Sequence, residues 1–316
     1  MSLPVTIWEE PYPGSEGAVS SLTRAYLAGS SSAGWGWTTS SSDWTGSVVG
    51  SSSDGFAGIG RGQGAEFVAY KAGGVYGVQT PVRPEGRYRM DGAGAYLDYG
   101  DVTEFDGATQ ATWFLEIEQG ADQAADAYFL TRWEPDAAAR QFAFHRVAGA
   151  NDRLKFAFAT DLLGGVLWGG QANTYLFSAG SRLQVLVRLD LTGATDAERL
   201  KADARTWDPA SLSYSAWSSL PLTYFGTAPA SLTSPTSPAR LLVGRNGGGS
   251  PWDGYIDDMR WTVGTTLSDA DRDAITLSAA SSSTWDHWWP YDGDAVDRIG
   301  SLNAANYGAT QAWDGR

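Results

Sequence analysis

From about Gly86 onward, apolar and polar residues alternate with a period of two over short runs, each closed by Gly, Asp, Asn or Pro. Leu154, Phe156 and Phe158 fall on one side of such a run with Lys155 on the other, and Leu183, Val185, Val187 and Leu189 oppose Gln184 and Arg188. A period of two places successive side chains on opposite faces of a strand, so these runs predict half-buried β-strands. The pattern predicts strands over Ala95–Tyr99, Thr112–Glu118, Ala127–Trp133, Gln141–Val147, Leu154–Ala159, Arg182–Asp190, Arg240–Gly244 and Gly254–Thr262. Strands with one apolar face pack in pairs of antiparallel sheets, so the expected fold is an all-β sandwich. One short helix interrupts it, with Ser268 as N-cap, Asp269 and Asp271 suited to the positive helix end, and Ile275 and Leu277 placed to dock. Pro229, Pro235 and Pro238 predict an extended loop ahead of Arg240.

Before Gly86 the pattern is looser. The stretch Gly29–Gly64, GSSSAGWGWTTSSSDWTGSVVGSSSDGFAGIGRGQG, reads as turns and short strands. Trp35, Trp37 and Trp44 argue against a solvated linker, because exposed indoles at that density promote aggregation unless covered. An ordered but irregular arm is expected over 1–85, with a short helix around Ala18–Leu27. GIGRGQG at Gly58–Gly64 reads as a flexible turn, since it lacks the strand and helix that flank a phosphate-binding loop. The expected organisation is this arm, a sandwich over 86–280, and a C-terminal strand segment over 281–316 packing on it.

Composition narrows the function classes. The 316 residues include 39 Gly, 15 Trp and 14 Tyr but only 18% charged residues, a profile of aromatic packing and tight turns. Net charge is −14 and no Lys/Arg cluster breaks the acidic background, which argues against nucleic acid as a partner. With no cysteine there is no disulfide, thiolate metal site or cysteine nucleophile. The opening MSLPVTIWEEPYPGSEG has neither the basic nor the apolar region of a signal peptide, and no run is long and apolar enough to span a bilayer. Synthesis in the cytoplasm without membrane insertion is the expectation.

The segment ARLLVGRNGGGSPWDGYIDDMRWTVGTTLSDADRDAITL, Ala239–Leu277, resembles the closing part of laminin-G-like domains in the concanavalin A-like lectin/glucanase superfamily. The matching positions are Gly244 and Arg245 ending a strand, then Trp252, Gly254, Ile256, Asp257 and Asp258, then Leu267 and Ser268 opening the helix. RYRMDGAGAYLDYGD, Arg87–Asp101, looks like the family's opening Asp-Gly turn and Tyr-containing strand, with Met90 in place of the usual Phe. Leu183–Ala204 resembles a strand-turn-strand unit, although KADARTWD stands where a Tyr-x-Asn-Gly hairpin is common. His287–Thr310 is similar to the segment that opens many such domains, here displaced to the C-terminus as a permuted strand, an added edge strand or a remnant of a second copy. The resemblance covers roughly the last three quarters of the chain and implies an antiparallel two-sheet jelly roll.

That fold carries lectins, adhesion modules, hydrolases and virus surface proteins, so function must come from a site. Glucanases of the superfamily place acid and nucleophile on one strand as E-x-D-x-x-E, with carboxyls about 5 Å apart. The local candidates, Glu116 and Glu118, share a strand face, but Ala121 stands where the last Glu belongs, and the pattern fails. The alternation around Trp113, Leu115 and Ile117 reads the pair as a polar outer face, and no catalytic residues are assigned. Asp257 and Asp258, being adjacent, are expected on opposite faces of their strand. If a cofactor binds, calcium is the candidate, with Asp98, Asp101 and Asp257 as ligands and Asp106 a further one. His145 and His287 have no spaced partner for zinc or a triad and read as structural. Trp168 in GGVLWGGQ and Trp252 in GSPWDG are open between core packing, a glycan platform and a protein-interface anchor.

The expected function is a non-enzymatic phage or virus virion surface protein, of the decoration or fibre-associated kind. Its partners would be capsid or tail proteins, further copies of itself, and cell-surface glycans. A virion protein made in the host cytoplasm and released by lysis needs no export signal. The alternative is an extracellular carbohydrate-binding module of an exported bacterial protein, followed by a glycoside hydrolase.

Overall fold

The computed structural model describes residues 87–311, apart from the stretches 122, 149–152, 162–165, 174–177, 209–212, 276–282 and 292–294, together with the backbone of strands before and after this range. The chain divides into two units, Met1–Gly86 with Trp313–Arg316, and Arg87–Ala312. In the first unit lie β1 (Tyr26–Ser30), β2 (Gly34–Thr38), β3 (Thr45–Val48), β4 (Phe56–Gly62), β5 (Ala65–Ala72) and β6 (Val75–Val78). They make two three-stranded antiparallel sheets, β1-β2-β3 and β4-β5-β6. The glycine-rich run expected as a flexible turn is instead mostly strand, with Gly58 opposite Ala69, Gly60 opposite Phe67 and Gly62 opposite Ala65. A glycine-rich strand is viable when its partner carries the strong β-formers, as β5 does with Phe67, Val68 and Tyr70. The helix expected around Ala18–Leu27 lies outside the described residues except for Tyr26 and Leu27, which open β1.

The second unit runs β7 (Glu85–Asp91), β8 (Tyr96–Asp101), β9 (Gln110–Gln119), β10 (Ala127–Trp133), β11 (Arg140–Val147), β12 (Arg153–Ala159) and β13 (Leu167–Ala172). It continues with β14 (Arg182–Asp190), α1 (Asp196–Arg199), β15 (Leu200–Asp208), β16 (Ser213–Tyr214), β17 (Ser218–Ser219), β18 (Leu222–Phe225) and β19 (Arg240–Val243). β20 (Asp253–Val263), α2 (Asp269–Asp273), β21 (His287–Trp289), β22 (Ala305–Tyr307) and β23 (Thr310–Asp314) complete it. An eight-stranded sheet has the order β18-β13-β12-β11-β10-β19-β8-β22, and a nine-stranded sheet has the path β16-β15-β14-β9-β20-β7-β23 with β17 on β15 and β21 on β20. β19 inserts between β10 and β8 while β20 inserts between β9 and β7. This interleaving of late strands among early ones makes the sandwich an antiparallel jelly roll.

Alternation sets the inner faces. Trp113, Leu115 and Ile117 of β9 and Val185 and Val187 of β14 are fully buried against Phe142, Phe144, Phe156 and Phe158 of the opposing sheet. The rings meet edge-on or tilted, as Trp113 does with Phe142 and Phe144 at centroid distances of 5.3 and 5.2 Å, the geometry that aromatic quadrupoles prefer. The Trp-x-Gly pattern of the sequence has a steric cause: a Cβ on Gly254 would collide with the folded-back ring of Trp252. The helix forms where Ser268 and Asp271 make a reciprocal capping box. Ile275 beyond it is buried, and Leu277 lies outside the described residues. Among the described residues no helix is long and apolar enough to cross a membrane.

Candidate functional site

The outer face of the nine-stranded sheet carries the densest chemistry. Register sets Tyr255 beside Glu118 and Glu118 beside Arg182, and in the next row Asp258, Glu116, Gln184 and Arg205 lie side by side on four strands. Further along come Arg260, Phe114, Leu186 and Asp203. Such a face would ordinarily be solvated, yet Glu116 is 1% and Glu118 5% exposed. A second, smaller apolar cluster of Phe114, Leu186, Leu267, Ile275 and Trp285, flanked by Trp217, covers part of it. Glu116 and Glu118, expected as a polar outer surface, are corrected to buried positions, Glu116 beneath Tyr214 and Glu118 beside Arg87.

Burying carboxylates demands partners. Arg182 Nε donates to Glu116 Oε1 at 2.8 Å and its Nη2 pairs with the same oxygen, while Gln184 Nε2 donates to Oε2 at 2.7 Å and Tyr214 OH to Oε1 at 2.5 Å. Burial and the Glu116 charge raise the Tyr214 phenol, keeping it a donor. Glu118 accepts from Arg87 Nη1 at 2.6 Å, and the Arg87 guanidinium lies 3.8 Å over the Tyr255 ring. Both carboxylates are thus fixed as acceptors in ion pairs, a poor arrangement for proton transfer or nucleophilic attack.

Asp257 and Asp258 do not point to opposite faces. Ile256 pairs with Ile117, but the next pair is Asp258 with Glu116, so a β-bulge at Asp257 shifts the register by one. Both carboxylates consequently meet outer-face arginines: Asp257 Oδ2 lies 2.9 Å from Arg182 Nη2, and Asp258 accepts from Arg260 Nε and Nη2 at 3.0 and 2.7 Å.

The three aspartates expected as a calcium set are not brought together. Asp257 belongs to the nine-stranded sheet, Asp98 and Asp101 to the eight-stranded one. Each also faces an arginine already: Asp98 lies 3.3 Å from Arg240, Asp101 2.7 Å from Arg132, and Arg132 also pairs with Asp106. Arg132, itself 1% exposed, occupies the position between Asp101 and Asp106 that a cation would need. Among the described residues no group of three or more His, Cys, Asp or Glu side chains is placed to hold a metal.

For Trp168 and Trp252 the structure selects core packing from the three open readings. Neither is a loop platform: Trp168 lies in β13, and both indoles are fully buried. Trp168 Nε1 donates to Asp196 Oδ1 at 3.0 Å and Trp252 Nε1 to Gln119 Oε1 at 3.1 Å, satisfying the polar tips inside the fold. The partly exposed aromatics are others. Trp207, Tyr214 and Trp217 lie at the outer-face edge, with Arg205 stacked 5.3 Å from the Tyr214 ring and 4.6 Å from that of Trp217. Sequence pattern gave no indication of Tyr214, because β16 is only two residues long, nor of Trp217, which lies outside any strand.

The histidines take opposite charge states. Burial first, and the Lys155 charge second, pull His145 down to about 4, and its ring stacks on Tyr128 at 4.5 Å. Burial also opposes the charge on His287, but Asp297 and Glu104 override it and hold His287 up at about 9. Trp289 stacks on the same ring at 5.4 Å. The C-terminal segment containing His287 adds β21 to β20 and β22 to the outer edge of β8, so it supplements both sheets.

No family model matches the sequence, and no curated protein matches it. Among solved structures, the chain is similar to a native heptameric SAP-like pentraxin from Limulus polyphemus, with a TM-score of 0.46 and 9% identity over 73% of this chain and 96% of the pentraxin.

Proposed function

We propose that this chain is a non-enzymatic adhesion or attachment protein, serving as a virion surface component of the decoration or fibre-associated kind. The observation that carries the non-catalytic half is the fate of Glu116 and Glu118. A retaining glycosidase needs one protonated and one ionised carboxyl open to a sugar, whereas these two are buried in ion pairs with Arg182 and Arg87. Attachment suits the rest of the chain. A large sandwich with half-exposed aromatic and arginine side chains at its margin supplies recognition surface. The Gly/Ser/Trp-rich strands of the first unit supply a second body able to engage neighbouring subunits. Repetition on a particle would raise weak single-site affinity through multivalency.

The test is mass spectrometry of density-purified particles from the native source. Stoichiometric recovery of this chain with capsid or tail proteins is the expected result. Recovery solely as a free monomer would overturn the virion assignment and favour an extracellular carbohydrate-binding module.

A further inference from the structure

Of the five asparagines in the chain, Asn246 alone is followed by glycine. It opens the turn that joins β19 to β20: the Gly249 N–H donates to the Asn246 backbone carbonyl at 3.0 Å, and Gly249 takes a φ of 93°. Glycine at 247 has a steric cause, since a Cβ there would collide with the carboxylate and the backbone Cα of Glu134. Packing thus sets beside an asparagine the one residue type whose backbone N–H no side chain shields.

That pairing carries a chemistry of its own. The Gly247 backbone nitrogen can attack the side-chain carbonyl carbon of Asn246. A bond forms between that nitrogen and Cγ, the Cγ–Nδ2 bond breaks, and ammonia leaves with the proton lost from the Gly247 nitrogen. Water then opens the cyclic imide at either carbonyl, giving aspartate or isoaspartate with no other reactant.

The folded turn opposes each part of this step. The Gly247 N–H donates to the Trp133 carbonyl at 2.9 Å, so the nucleophile keeps its proton and is tied to the end of β10. Asn246 Oδ1 accepts the Ser250 N–H at 3.1 Å, which fixes the carboxamide within the turn. The Glu134 carboxylate, packed against Gly247 and paired with Arg240 at 2.7 Å, disfavours an amide anion beside it.

We propose that Asn246 is a site of spontaneous deamidation that the folded turn holds shut, so that its modification records openings of the β19–β20 connection. Loss of ammonia makes the change one-way. Isoaspartate also lengthens the main chain by one carbon, which carries the Gly247 N–H off the Trp133 carbonyl and keeps the turn from closing as before.

The test incubates the full chain at mildly alkaline pH, in buffer and in denaturing guanidinium chloride, and follows the peptide containing Asn246 by mass spectrometry and isoaspartate detection. Conversion at Asn246 is expected in the unfolded chain, with a rate in the folded chain lower by about tenfold or more. Denaturant below the unfolding transition should raise the folded rate before global unfolding is detectable. Equal rates in the folded and unfolded chain would overturn the protection, and no conversion in the unfolded chain would overturn Asn246 as a reactive site. Chain converted while unfolded and then refolded should melt several degrees below the unconverted sample; an unchanged melting temperature would overturn the loss of closure.

Discussion

His287 Nδ1 and Asp297 Oδ2 meet at 2.5 Å, and Glu104 Oε2 completes the bridge at 3.0 Å from Nε2. Asp297 also accepts from the backbone N–H groups of Trp288, Ile299, Gly300 and Leu302. One imidazolium thus ties the C-terminal segment to the short turn at Thr103–Phe105. A histidine raised from 6.5 to about 9 on folding stabilises the native state fully below pH 6.5 and loses that contribution as pH rises through about 9. We expect His287→Gln to remove about 2–3 kcal/mol at pH 6 and much less at pH 10. Urea denaturation at both pH values checks this, and equal losses would refute it. Asp297 is depressed on folding despite its burial, by His287 and backbone N–H groups, so its contribution is lost separately as pH falls below the ordinary carboxylate range.

Arg182 serves Glu116 and Asp257 at once. Arg182→Met should destabilise by about 3–5 kcal/mol, because it leaves buried carboxylates without their cation. Adding Glu116→Gln to that variant should recover part of the loss. A double-mutant cycle measured by denaturation checks this, and strict additivity would show that the two side chains do not act as a pair.

The indoles of Trp168 and Trp252 are structural, so truncating them should act on stability. Trp168→Ala is expected to cost about 3–5 kcal/mol through the cavity it leaves. Trp168→Phe should cost less, keeping most of the ring but losing the bond to Asp196. Calorimetric melting of both variants checks the order; a Trp168→Ala protein as stable as the parent would contradict full burial.

Arginines already occupy the surroundings of Asp98, Asp101, Asp106 and Asp257. Chelator-treated protein given millimolar calcium should therefore melt within about 1 °C of the untreated sample. A rise of several degrees would reveal a cation site elsewhere in the chain.

The strands with a clean period of two were legible to within a few residues: β10 and β14 coincide with the expected spans, and β9 and β20 extend theirs by one to two residues at either end. So was the Ser268 cap, since a capping box is written in adjacent residues. β13 was not, because Gly169 and Gly170 beside Trp168 imitate a loop. Two features of the site were also hidden. The alternation around Glu116 correctly gives its face but says nothing of what covers that face, since the roof comes from residues more than 90 positions downstream in the chain, such as Tyr214. The bulge at Asp257 turns on pairing with β9, a long-range register that local sequence does not encode. Arginine partners were missed for the same reason: Arg132 and Arg182 are separated from their aspartates and glutamates by tens of residues or more.

The roof over the nine-stranded sheet has its own apolar cluster of Phe114, Leu186, Leu267, Ile275 and Trp285, distinct from the main core. A layer held by so small a cluster opens at lower free energy than the sandwich beneath it. Amides of α2 should consequently exchange with deuterium through a partial opening, long before those of β9 and β14. In that open form Phe114 and Leu186 meet water while the jelly roll stays intact, so proteases would find this layer before they find the fold.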